Sequence, residues 1–163
     1  ACRQLGAPAL IKWPNDIVAN GLKLCGILLE MNADMDQVHY AVAGMGLNVL
    51  GSPRSADIPH AGCLAEVCPR VPGRAEAAAR ILEQYEKYYD LWAKGGASAI
   101  RPIYEERCVT LGRRVRVVGL TETFEGTARA LTADGSLEVV TDAGESRVVR
   151  AGDVSVRGVM GYV

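Results

Sequence analysis

Along residues 9–50 apolar and polar positions fall into short runs broken by turn residues, which predicts strands rather than helices. Leu10-Ile11-Lys12-Trp13 is a short apolar run halted by Pro14, and Ile17-Val18-Ala19 runs into Asn20-Gly21, the strongest two-residue hairpin signal. The return strand is expected over residues 22–31, a polar turn over 32–36 and a further strand over 37–50. Gly44 and Gly46 interrupt that last strand, where missing side chains would let another group approach the backbone. Antiparallel strands with a glycine-opened segment predict one half of a sheet-based binding site.

Residues 52–73 are rich in Pro, Gly and Asp and read as loop, with one helical turn around Cys63-Leu64-Ala65. Over residues 74–94 the period becomes helical: Ala78, Ile81, Leu82, Tyr85, Tyr89 and Trp92 form a single apolar stripe, expected to belong to the core. Gly95-Gly96 ends that helix, and a shorter one over residues 98–107 would place Pro102 in its first turn. From Gly112 the period returns to two, with turns at Asp134-Gly135 and Asp142-Ala143-Gly144. About five short strands in about fifty residues would expose edges as an open sheet, so a small closed or nearly closed barrel is expected. The fold class is therefore α/β in the α+β sense. A mixed, largely antiparallel sheet with packed helices occupies residues 1–110, and a barrel forms a second domain over residues 111–163.

The chain opens on Ala1-Cys2-Arg3-Gln4-Leu5-Gly6, which reads as the last turn of a helix closed by Gly6 and suggests entry into the middle of an element. Its 163 residues are 49% apolar with a net charge of -1, which allows one moderate core or two small ones and gives no global attraction for nucleic acid or anionic lipid. No apolar run approaches the roughly 20 residues that span a bilayer. With no basic-then-apolar leader either, a cytoplasmic protein is expected. Cys2, Cys25, Cys63, Cys68 and Cys108 are scattered, with no C-x-x-C pair and no histidine cluster, and read as reduced core residues rather than zinc ligands.

Three motifs carry chemistry: Lys12-Trp13-Pro14-Asn15-Asp16, then Lys23-Leu24-Cys25-Gly26-Ile27-Leu28-Leu29-Glu30, then Gly44-Met45-Gly46-Leu47-Asn48. In order and spacing they resemble the consecutive motifs of biotin protein ligases. A helix and a small C-terminal unit ending in Gly152-Asp153-Val154-Ser155-Val156-Arg157 extend the likeness over nearly the whole chain. The resemblance implies the central and C-terminal part of such an enzyme, with a class II synthetase-like core and an SH3-like barrel. It implies that a biotin carboxylate attacks the α-phosphate of ATP, giving biotinyl-AMP and pyrophosphate. A lysine of a biotin carboxyl carrier protein domain then attacks the mixed anhydride. Both steps build negative charge, and a fixed cation is the simplest catalyst.

By the same resemblance Lys23 is that cation and contacts the biotin carboxylate, and Asp16 lies beside it. Asp16 would help hold Mg²⁺ on ATP, accept the proton of the carrier lysine, or orient its neighbours. Gly26 marks where the strand passes against biotin, with Ile27 and Leu28 as apolar wall, although core packing explains these two equally well. Asn15, Gly44, Gly46, Asn48 and Arg157 fall to the nucleotide: the glycines by close backbone approach, Asn48 by pairing with the adenine edge, Arg157 by reaching across from the barrel. A structural role is expected for Asn15, and a strand-end turn role competes for Asn48 and a surface role for Arg157. Glu30 reads as an exposed strand carboxylate.

Biotin, ATP and Mg²⁺ are thus the implied small molecules and the carrier domain the implied partner. A homodimer is compatible, and no contact with nucleic acid or membrane is expected through this chain. The family's G-R-G-x-x-G-R loop, which precedes these motifs, has no counterpart in residues 1–11. Lipoate ligase is the alternative enzyme, sharing fold and adenylation logic but usually lacking the Lys-Trp-Pro-Asn-Asp turn coupled to Gly-Ile-Leu. An inactive fragment or binding module is the alternative outside enzymes.

Overall fold

The computed structural model describes residues 1–119, 122–151 and 154–158; Gly152 and Asp153 of the C-terminal motif lie outside them. At the start of the chain a hydrogen bond from Leu5 N–H to Ala1 O (3.2 Å) and a positive φ at Gly6 close a single turn. Four antiparallel strands then follow in chain order: β1 (Leu10–Lys12), β2 (Asp16–Ala19), β3 (Leu22–Ala33) and β4 (Val38–Leu47). Asn20 and Gly21 take φ of 51° and 76°, the left-handed pair that a tight hairpin with twisted strands requires. β3 and β4 run on beyond β2 as a two-stranded arm. At its tip the Asp34 carboxylate accepts the backbone N–H groups of Asp36 (2.9 Å) and Gln37 (3.0 Å), which fixes the polar turn.

After a loop, α1 (Leu64–Val67) starts where Cys63 N–H donates to the Glu66 carboxylate at 2.8 Å. α2 (Arg74–Arg107) is two helical segments meeting at Gly96, whose φ of 63° and ψ of -158° break the helix where the glycine pair predicts. The second segment resumes directly after the break, so Pro102 lies inside it rather than in its first turn. The apolar stripe of α2 departs further from expectation. Tyr85, Tyr89 and Trp92 remain about half exposed and Leu82 is 68% exposed. α2 stands off the sheet, and Ile81, Tyr85, Tyr89 and Trp92 face Ile17, Ile27 and Leu47 across an apolar cavity of 500 Å³. Periodicity fixes which face is apolar; it does not fix how closely the opposite surface approaches.

The C-terminal strands are β5 (Arg114–Gly119), β6 (Thr123–Leu131), β7 (Leu137–Thr141), β8 (Ser146–Val149) and β9 (Val154–Gly158). They form one antiparallel sheet in the order β8-β7-β6-β5-β9. Gly135 and Gly144 supply positive φ at the two turns the sequence marks. Among the described residues β8 and β9 are the ends of the sheet and no closed barrel is seen where the sequence predicts a closed or nearly closed one, because alternation predicts strands and not whether the first meets the last.

Two apolar clusters hold the chain. Leu5, Ala7, Ala9, Ala19, Leu24, Leu64 and Ala77 pack beneath the first sheet. Val115, Val117, Ala128, Leu137, Val139 and Val149 pack inside the second, together with one residue from the first: Trp13, only 3% exposed. Cys25, Cys63 and Cys108 are buried and all five cysteines are free, as their scatter predicts. Among the described residues no helix is long and apolar enough to cross a membrane.

Candidate functional site

The strand registers place one row of residues straight across the first sheet. Lys12 of β1 pairs with Asp16 of β2, Asp16 with Gly26 of β3, and Gly26 with Gly46 of β4. Directly opposed residues share a face, so two charged side chains stand beside two positions that have none. The glycines leave a trough next to the charges.

Lys23 enters that trough through an irregularity. It lies three positions before Gly26, an odd spacing that regular alternation would send to the opposite face. The β2–β3 register shifts between Ile17 and Val18, so that Leu24 is an extra residue on β3. Such a bulge reverses the alternation and puts Lys23 on the face of Asp16 and Gly26. Its Nζ lies 2.6 Å from Asp16 Oδ1. A Cβ at residue 26 would stand 3.4 Å from Lys23 Nζ and 3.7 Å from Asp16 Oδ1, so Gly26 leaves room for this ion pair.

Two cavities open on either side of the row, sharing Lys12, Asp16, Lys23, Gly26 and Gly46. The first, of 680 Å³, adds the apolar side chains of Trp13, Pro14, Ile27, Leu28 and Met45 and the amide of Asn15. The second, of 700 Å³, mixes Asn48, Asp57, His60 and Arg157 with the apolar Pro53, Ile58, Pro59 and Ala61. The site therefore has two compartments of mixed polarity that share the Lys23–Asp16 pair, and Asp57, His60 and Arg157 line only the second. Gly44 lines the first cavity and Gly46 both.

The turn carrying Asp16 is held on three sides. Asn15 Nδ2 donates to Ile27 O at 2.7 Å and Ile27 N–H donates to Asn15 O at 3.0 Å, which clamps the turn to β3 and matches the structural role expected of Asn15. Trp13 N–H donates to Thr110 Oγ1 at 2.9 Å and its indole Nε1 to Gly135 O at 3.0 Å, while Tyr104 Oη donates to Pro14 O at 3.0 Å. Asn48 has comparable work: Nδ2 donates to Gly62 O at 2.9 Å, tying the end of β4 to the loop that walls the second cavity. Glu30 lies exposed on the arm, away from the row.

Sequence reasoning passed over Lys12. Its exposure is 8%, and burial lowers its pKa from the usual lysine value, an effect that Asp16 opposes and Lys23 and Arg157 reinforce. A signal was available: in a hairpin whose turn is Trp13-Pro14-Asn15, residues 12 and 16 must face each other. The Cys25 thiol beside the pair is pushed up to about 11, chiefly by burial, and is unsuited to act as a nucleophile. Among the described residues no group of three or more His, Cys, Asp or Glu is placed to hold a metal ion.

The family model described as Biotin/lipoate A/B protein ligase family matches residues 1–48, and that described as Biotin protein ligase C terminal domain matches residues 110–157. The bifunctional ligase/repressor BirA of Bacillus subtilis is 34% identical over 146 residues, 86% of this chain and 44% of that protein. The biotin–[acetyl-CoA-carboxylase] ligase of Mycobacterium tuberculosis is 35% identical over 145 residues, 88% of this chain and 52% of that protein. This chain spans about half the length of these curated relatives. The solved structure of the biotin protein ligase from Aquifex aeolicus in complex with biotin and ATP has the same fold, with a TM-score of 0.76 at 22% identity, covering 93% of this chain and 62% of that one. Two family models at the two ends of the chain, relatives spanning both and a shared fold lead to one conclusion: the chain belongs to the biotin protein ligase family.

Proposed function

We propose that this chain carries the lysine-centred part of an ATP-dependent ligase site that activates biotin as biotinyl-AMP and passes it to a lysine of a biotin carboxyl carrier protein domain. The observation that carries the reading is the pair of cavities meeting at one ion pair, with the further charged and titratable groups Asp57, His60 and Arg157 on one side only. An acyl-adenylate has a matching form, with an uncharged acyl group on one side, a nucleotide on the other and an anionic linkage between them. In this reading Ile27 and Leu28 wall the biotin side, and Asn48 and Arg157 face the nucleotide.

In the first step a biotin carboxylate oxygen bonds to the α-phosphorus of ATP and the bond to pyrophosphate breaks. Two anions must approach, and the Lys23 ammonium at the boundary reduces their repulsion and stabilises the charge on the phosphoryl oxygens. In the second step the carrier amine attacks the acyl carbon, AMP leaves and one proton is released. Asp16, which pairs with Lys23 at this boundary, is the carboxylate that accepts it in this reading. Asp16 is also the only carboxylate of the row, and one carboxylate already paired does not fit a resident Mg²⁺. The Mg²⁺ that accompanies ATP is carried by the phosphates.

The same reading takes residues 1–110 and 111–163 as two domains, the second an SH3-like barrel linked to the first through Trp13. Pyrophosphate release from ATP, followed with biotin and separately with lipoate, tests the choice of acid. Release with biotin and none with lipoate supports the proposal; release with lipoate alone turns the site into that of a lipoate ligase.

A further inference from the structure

We propose that Lys12 is a further positioning residue of this site, holding Asp16 from the β1 side so that Lys23 is released to an incoming phosphate or carboxylate. The proposal rests on the anion-binding part of the preceding reading and not on biotin.

As the site stands, Lys23 is committed to Asp16 at 2.6 Å. An anion that draws Lys23 away takes that cation from a carboxylate whose side chain is 13% exposed, a loss that opposes binding. The β1–β2 register supplies the remedy, because Lys12 is directly opposed to Asp16 on the same face and lines both cavities. Asp16 thus has a cation on each strand neighbour, Lys12 from β1 and Lys23 from the bulge of β3.

The two lysines are not equivalent. Lys23 is 40% exposed along its side chain, on a site border where it can swing, whereas Lys12 is almost fully buried within its strand. The buried lysine is suited to stay with Asp16 and the exposed one to move. Burial also lowers the pKa of Lys12, so its charge is lost at a lower pH than that of an ordinary lysine. Among the described residues, the charged and titratable groups around it are Asp16 from β2, Lys23 and Cys25 from β3, Arg157 from β9, and Asp57 and His60 from the loop over the second cavity. Once Lys12 is neutral, Asp16 must recapture Lys23, and anion affinity falls.

The test is binding of inorganic pyrophosphate to this chain by calorimetry across neutral to alkaline pH, for the unaltered chain, Lys12→Met and Lys12→Arg, with thermal unfolding as the control for folding. The unaltered chain should lose affinity below the ordinary lysine value of 10.5. Lys12→Met should bind about tenfold or more weakly at neutral pH, with its alkaline loss moved to higher pH. Lys12→Arg, whose charge persists throughout, should keep most of the affinity and also lose the early alkaline fall. If Lys12→Met does not fold, the arginine variant alone decides. The proposal is overturned if the unaltered chain does not bind pyrophosphate, or if either folded variant keeps the alkaline fall where it was. Since pyrophosphate binding needs no biotin, a chain that passes this test and shows no biotin-dependent reaction would sink the ligase reading and leave the role of Lys12 standing.

Discussion

Lys23 and Asp16 meet because a bulge places an extra residue, Leu24, between Lys23 and the Gly26 that pairs with Asp16, and the consequence of removing either can be stated separately. Lys23→Ala removes a 40%-exposed side chain from a strand whose packing residues are Leu24 and Cys25, so the fold should survive. The adenylation step should lose about 3–4 kcal/mol of transition-state stabilisation, on the order of a hundredfold or more in rate. Circular dichroism and single-turnover formation of biotinyl-AMP check both halves. Gly126 is a residue of a different kind. A Cβ there would stand 2.5 Å from Val140 O, so Gly126→Ala forces β6 and β7 apart and should destabilise the C-terminal sheet by about 1–3 kcal/mol in urea unfolding.

Much of the site at this scale was legible in the sequence, since the motif order named Lys23, Asp16 and Gly26 and the row brings them together. The bulge was not legible, because a skipped residue leaves no signature in an apolar run. Asn48 was only half legible. Its bond to Gly62 depends on how a turn-rich loop folds back, which composition does not determine.

Among elements, the β1–β2 turn is the one that joins the two halves of the chain. Its tryptophan lies in the core of the C-terminal sheet, and the two residues following Pro14 in sequence are a clamp on β3 and the carboxylate of the ion pair. The C-terminal sheet therefore positions the site without lending it a reacting group through this turn. Trp13→Phe keeps most of the apolar surface but deletes the donor to Gly135 O, and should cost about 1–3 kcal/mol of stability. It should also reduce adenylation at saturating substrate, because the turn that holds Asp16 loosens. Unfolding measured beside turnover separates the two effects, and a variant that loses stability with turnover unchanged would show that the anchor does not reach the site. The sequence marked this turn as a motif and gave no hint of its anchor, because the contact joins residues more than a hundred positions apart.

Across the whole molecule, the contrast is between a tight C-terminal core and an open face on the first sheet. Leu137 has no exposed surface, whereas Trp92 is 51% exposed beside a 500 Å³ apolar cavity. Leu137→Ala should therefore cost about 2–5 kcal/mol and Trp92→Ala less than about 1 kcal/mol in this chain, an inversion of what their sizes suggest. The C-terminal sheet should also respond to acid. Hydrogen bonds from Arg116 and Arg114 hold Glu125 and Asp142, respectively, below the usual carboxylate range. Their stabilisation is complete above the unfolded carboxylate value and is lost as pH falls through the lower folded values. These groups are exposed, so the loss should be small and should shrink at high salt. Urea midpoints at neutral and acid pH, at low and high salt, report it. The strands and helices were legible because each is set by local period, whereas the gap between α2 and the sheet was not, because it is a distance between surfaces that no single segment encodes.

We propose above that biotin reacts with ATP at the Lys23–Asp16 boundary between the two cavities. The measurement that reaches it most directly is biotin-dependent release of pyrophosphate from ATP, compared between the unaltered protein and Lys23→Ala. Release should require biotin and fall about a hundredfold or more in the variant, with folding retained. Biotin-dependent release that is equal in the two proteins would contradict the proposal.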